Sequence, residues 1–124
     1  DAKARLIWIY DRSYQIQADI FANEGRCRGC PFVNIGIELA STSQDIRRSV
    51  AAAFDMFATY YSRIVATLPK PQDGVDDKEL VAALVANMNG AIVAAKIENR
   101  PEAILDGKAR VYRFMSFETH AASA

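Results

Sequence analysis

Residues 41–68, STSQDIRRSVAAAFDMFATYYSRIVATL, carry the longest regular apolar stripe in the chain. Ile46, Val50, Ala53, Phe54, Phe57, Tyr61, Ile64, Val65 and Leu68 recur at the three- and four-residue steps of one helix face. In front of them stands a run of capping residues. Ser41 and Gln44 have the spacing of a capping box, and Asp45 suits the positive end of a helix dipole. The stretch predicts a long amphipathic helix beginning at this run.

Downstream, Pro69-Lys70-Pro71-Gln72-Asp73-Gly74 cannot continue a helix and predicts a surface loop. Asp77 then caps a fourth helix reaching Ile97, with Val81, Leu84, Val85, Met88, Ile92 and Ala95 on one face. Asn99-Arg100-Pro101-Glu102 ends it and starts a fifth, with Pro101 in the first helical position. Ile104, Leu105, Val111, Tyr112 and Met115 carry this helix to about Glu118, and the tail from His120 to Ala124 is expected to fray. Upstream, Pro31 opens a short helix to about Ala40, so apolar on Phe32, Val33, Ile35, Ile37 and Leu39 that it belongs inside. A first helix from Ala2 to about Asn23, on Leu6, Ile9, Tyr10, Ile16, Ile20 and Phe21, stops at Gly25. No segment alternates polar and apolar residues, so the expected class is all-α: about five helices in an antiparallel bundle, one domain over residues 1–124.

The 15 basic and 15 acidic residues cancel, so no global positive field draws the chain to nucleic acid or an anionic membrane. No uninterrupted apolar run approaches the roughly 18 residues of a membrane span, and the chain reads as soluble and cytoplasmic. Two cysteines are too few for a secreted disulfide scaffold.

Those cysteines form a C-x-x-C in Arg26-Cys27-Arg28-Gly29-Cys30-Pro31-Phe32-Val33-Asn34. Structural zinc needs four ligands, and beyond this pair the sequence offers only His120, so no metal is expected. A thioredoxin-like centre needs a preceding strand, where this motif follows a helix. Cys30, beside a helix start and flanked by Arg26 and Arg28, is a possible thiol sensor. The alternative makes Cys30 a small buried hydrophobe and Cys27 a half-exposed bystander. The chain has no G-x-S-x-G, no glycine-rich phosphate loop and no H-E-x-x-H, so neither catalysis nor a cofactor is expected.

Aromatic residues concentrate in the first three helices. They are core by default, yet a pocket among Trp8, Tyr14, Phe32, Asn34, Phe57 and Tyr61, with Met88 facing it, would suit a small apolar or amphipathic ligand. Polar Tyr14, Asn34, Asn87 and Asn89 within apolar helices require partners, and a ligand can be one. Gly90 inside the fourth helix costs about 1 kcal/mol relative to Ala, which suggests a packing reason. With Ala94 it would admit a second helix. The fourth and fifth helices could then pair with those of a second copy as a four-helix bundle, through Leu84, Met88, Gly90, Ala94, Leu105 and Tyr112.

The assembled pattern resembles the C-terminal ligand-binding and dimerisation domain of the tetracycline-repressor (TetR) family of transcriptional regulators. The resemblance rests on RGCPFVN opening a short apolar helix with Glu38 beyond it, on the capped TSQDIRRSVAAAFDMF, and on ELVAALVANMNGAIVAAKI before a final helix. It implies an effector pocket enclosed by the first helices, a homodimer through the last two, and operator affinity altered by a small molecule. It also implies an N-terminal helix-turn-helix domain, expected before residue 1 and absent from these residues, so operator DNA would be reached only through that domain. The expected function is effector sensing and dimerisation in a repressor. The rivals are a helical thiol-redox protein using Cys27 and Cys30, and a helical interaction module with no ligand.

Overall fold

The computed structural model describes residues 1–70 and 74–117. Five helices follow one another: α1 (Ala2–Glu24), α2 (Pro31–Leu39), α3 (Gln44–Val65), α4 (Asp77–Glu98) and α5 (Ala103–Phe114). Among the described residues there is no strand, as the missing alternation implied. The predicted loop residues Pro71 to Asp73, the fifth helix's last predicted residue Glu118 and the tail from His120 to Ala124 lie outside the described residues.

Local chemistry fixes most boundaries. Asp1 caps α1 by accepting from the Lys3 and Ala4 amides, and Gly25 closes it in the left-handed region (φ 73°), donating to the Phe21 carbonyl. Pro31 starts α2 as expected. The cap of α3 differs: Ser43 Oγ accepts from the Ile46 amide, while Ser41 and Thr42 lie in the turn closed on the Leu39 carbonyl, so no Ser41–Gln44 capping box forms. Asp76 rather than Asp77 caps α4, accepting from the Glu79 amide at 2.7 Å. Pro101 stands two residues before α5, just ahead of its cap Glu102, instead of opening it. That helix ends at Phe114, short of the expected end, because Ser116 turns left-handed (φ 52°) and the Phe117 amide reaches back to the Tyr112 carbonyl.

Helices α1, α3, α4 and α5 enclose a core of Leu6, Tyr10, Ile64, Val65, Leu80, Leu84, Met88, Ile104 and Val111. Tight helix contact at α4–α5 comes from Gly107 and not from Gly90. A Cβ on Gly107 would lie 2.6 Å from the Ala91 Cβ, whereas one on Gly90 would meet nothing within 4 Å. Leu84 and Met88, read as interface residues, are instead core residues of the protomer, because α4 turns that face onto α3 and α5.

Helix α4 is also apolar and long enough to cross a membrane by length and composition, with mean hydropathy 1.7 over its best 18 residues, which the search for an unbroken apolar run missed. Here Leu80, Val81, Leu84, Met88, Ala91 and Ala95 are buried against protein. The other correction concerns α2. Its expected interior position is not observed: Val33 alone is buried, and Ile37 is 72% exposed. Among the described residues the only extensive neighbour of α2 is α3, approached closely where Gly36 meets Val50, so one helix cannot cover all its apolar sides. The α3 stripe divides accordingly. Tyr61, Ile64, Val65 and Leu68 are core, while Phe57 stays partly exposed near Phe32 and Phe54.

Candidate functional site

The connection between α1 and α2, Gly25 to Cys30, has no regular structure, yet its backbone polar groups are held. Three side-chain amides do this from three helices. Gln17 in α1, itself buried, donates Nε2 to the Gly29 carbonyl at 3.2 Å and accepts from the Gly29 amide at 3.0 Å. Asn34 in α2 donates to the Arg28 carbonyl at 2.8 Å. Asn99, the left-handed cap of α4 (φ 52°), accepts from the Cys27 amide at 2.9 Å and donates to the Gly25 carbonyl at 3.0 Å. Buried backbone groups require such partners, so the loop is fixed although it lacks a ladder.

Beside this loop lies an open groove of about 670 Å³, lined by Ile16 and Ile20 of α1, by Arg26, Arg28 and Gly29, by Asn34, and by Lys96 from the last turn of α4. The backbone at Gly29 favours glycine. Its φ is +75°, and a Cβ there would stand 3.1 Å from Lys96 Cδ, so the lysine stem crosses directly over it. Glu24 accepts from Arg28 at 2.7 and 2.9 Å and lies 3.7 Å from Arg26. Among the described residues no carboxylate is within ion-pair reach of Lys96.

The burial of the two thiols is the reverse of the alternative that made Cys30 buried and Cys27 half-exposed. Cys27 is buried, and its thiol is pushed above its ordinary value by that burial and by the negative field of Glu102. Cys30 is half-buried, caps α2 without a side-chain hydrogen bond, and both cysteines are free thiols. Among the described residues no three His, Cys, Asp or Glu side chains gather as a metal site would need.

The residues expected to line one pocket are dispersed. Trp8 is 60% exposed, Tyr61 and Met88 belong to the core, and Tyr14 packs against the core's edge. Phe32 and Phe57 do meet, edge to face at 5.9 Å. Phe32 also borders a shallow apolar channel of about 320 Å³ between α2 and α3. Of the predicted set only Asn34 reaches the groove. Polar groups in the core find protein partners instead. Asn87 donates to Tyr10 Oη at 2.7 Å and to the Gly107 carbonyl at 3.0 Å, and accepts from Arg110 Nε at 2.8 Å. Tyr61 Oη is the exception, with no partner among the described residues, and burial raises its hydroxyl above the ordinary range.

Sequence reasoning missed Gln17, Asn99 and Lys96, and read Arg26 only as a neighbour of Cys30. Gln17 left a signal, since it stands in helical register with Leu6 and Tyr10 on the buried face of α1, where a polar side chain needs a dedicated partner. The cationic rim left only part of a signal, because Lys96 lies about seventy positions from the neighbouring Arg26 and Arg28.

A family model described as "Tetracyclin repressor-like, C-terminal domain" matches residues 3–110. No curated protein and no solved structure matches this chain.

Proposed function

This chain belongs to the tetracyclin repressor-like C-terminal domain family, and from that premise we propose that it is the effector-sensing and dimerising part of a cytoplasmic transcriptional repressor. The observation that carries the reading is the loose packing of α2. It hangs from a loop fixed by side chains, rests extensively on α3 alone, and leaves a ligand-sized groove open beside α1. A small molecule in that groove touches α1, the loop, α2 and α4 together. It favours one arrangement of α2 by its differential affinity for the two, and only that difference can shift the equilibrium. Operator contact belongs to a helix-turn-helix domain expected before residue 1.

Dimerisation is supported by the outward face of α4. Ala83, Ala86, Gly90 and Ile97 follow steps of three, four and seven residues along one helix face and are all exposed, Ile97 to 79%. Ala94 flanks this stripe, and Phe114 of α5 borders a notch beside Ala83. A face of small residues lets a second α4 approach closely, which explains a glycine that no residue of its own protomer requires. Leu105 and Tyr112 are half-buried on α5, where Tyr112 packs on Phe117 and lies near the Lys3 ammonium.

Native mass spectrometry of the purified chain tests both parts. A dimer carrying retained small-molecule mass is expected, with Gly90→Leu giving a folded monomer. A monomer at micromolar concentration rules out the dimer. No bound mass, together with no thermal shift from any member of a small-molecule panel, rules out the effector site.

A further inference from the structure

The groove's lining carries information about what it takes up. One wall is apolar, Ile16 and Ile20 of α1, and part of Ile16 stands open to solvent. The rim holds three cations, Arg26, Arg28 and Lys96, and none of the ten lining residues is acidic. Glu24 engages Arg28 through both carboxylate oxygens and Arg26 only loosely at 3.7 Å, and among the described residues Lys96 has no ion-pair partner. Glu102 acts on the groove from behind Cys27. Like charges gathered at one rim repel one another, and an arriving anion relieves that repulsion.

We propose that this groove binds an organic anion, a carboxylate or sulfonate on an apolar body, with the body lying on Ile16 and Ile20 and the charge taken by Arg26 and Lys96. The inference rests on the groove being the effector site. It adds the class of effector. A neutral molecule of the same shape gains the apolar wall but leaves the cations unpaired. A cationic one is repelled. The lysine stem runs over Gly29, which brings Lys96 to the same rim as Arg26 and Arg28.

The test compares octanoate with 1-octanol, which share a chain and differ in charge, by following the Gly29 and Asn34 amide resonances of the purified chain. Octanoate is expected to bind roughly fivefold more tightly, the worth of one or two solvent-exposed ion pairs. The preference should vanish at high salt and in the Arg26→Gln/Lys96→Met variant, which keeps the stem over Gly29 and binds octanol like the parent chain. Lys96→Glu should reverse the preference. Equal binding of both probes at these amides overturns the anionic class and leaves the effector site standing. Failure of both probes to shift them, or shifts confined to the channel between α2 and α3, overturns the effector site as well.

Discussion

Gly107→Ala tests the closeness of α4 and α5 directly. The new methyl would stand 2.6 Å from the Ala91 Cβ and 3.3 Å from Tyr10 Cε1. Carbon atoms pack at about 3.5–4.0 Å, so the helices must part by about 1 Å. The Ala91 methyl sits one bond from its backbone and cannot rotate away. Parting the helices also stretches the 3.0 Å hydrogen bond from Asn87 to the Gly107 carbonyl. Overpacking of this kind costs about 3 kcal/mol at the upper end of its range, and Ala returns about 1 kcal/mol of helix propensity. The net expectation is a loss of about 2 kcal/mol. Ala91→Gly alone loses about 1 kcal/mol of propensity and a buried methyl. In the double variant the two propensity changes cancel and the clash is gone, so it should be more stable than Gly107→Ala by roughly 2 kcal/mol. Urea unfolding followed by far-UV circular dichroism, at one fixed protein concentration because dimerisation would otherwise enter, measures this as a midpoint shift of about 1 M. A double variant less stable than both single variants would refute the steric argument.

Asn99→Gly keeps the left-handed backbone but removes two hydrogen bonds to the loop, and should cost about 2 kcal/mol, with Asn99→Ala about 1 kcal/mol worse from backbone strain; urea midpoints give the order, and equal losses would discount the strain. Tyr61→Phe removes a buried hydroxyl that has no partner and should stabilise the fold by about 1 kcal/mol; a destabilised variant would reveal a partner for that oxygen. Cys27, Tyr10 and Tyr61 all titrate above their ordinary values of 9.0, 10.0 and 10.0 in the folded chain, chiefly through burial, so the unfolded chain loses its protons first. Stability should therefore be fully present below about pH 9 and decline above it, and a flat profile from pH 8 to 11 in thermal melts would contradict this. Iodoacetamide at neutral pH should label Cys30 well before Cys27, as mass spectrometry of early time points can show; the opposite order would mean that the loop opens readily.

Helix number and order were legible because periodicity and stop signals are local. Gly25, Pro31 and the Pro69–Gly74 break each mark a boundary through backbone chemistry that needs no distant partner. Burial was legible only where the helix had company. The stripe of α3 reads as uniform from Ile46 to Leu68, yet its two ends differ because only the C-terminal half lies against the other core helices. For the same reason α2 looks like a core helix in composition and is not one in place. The site was the least legible part. Its cations come from residues 26, 28 and 96, and its shape depends on amides at 17, 34 and 99 whose side chains meet only after α1, α2 and α4 are arranged. Gly90 and Gly107 make the same point: Gly90 reads as the packing glycine in the sequence, and only the three-dimensional neighbourhood shows that Gly107 is the one closely approached.

The amide clamp on the α1–α2 connection separates shape from specificity. Gln17, Asn34 and Asn99 hold the backbone of Gly25, Cys27, Arg28 and Gly29, while the side chains of residues 26 and 28 take no part in that support. Residues 26 and 28 can therefore be exchanged for others without disturbing the path of the chain. A mutational library confined to those two positions would vary the charge of the groove's rim on a constant backbone frame, at the cost of the Arg28–Glu24 ion pair.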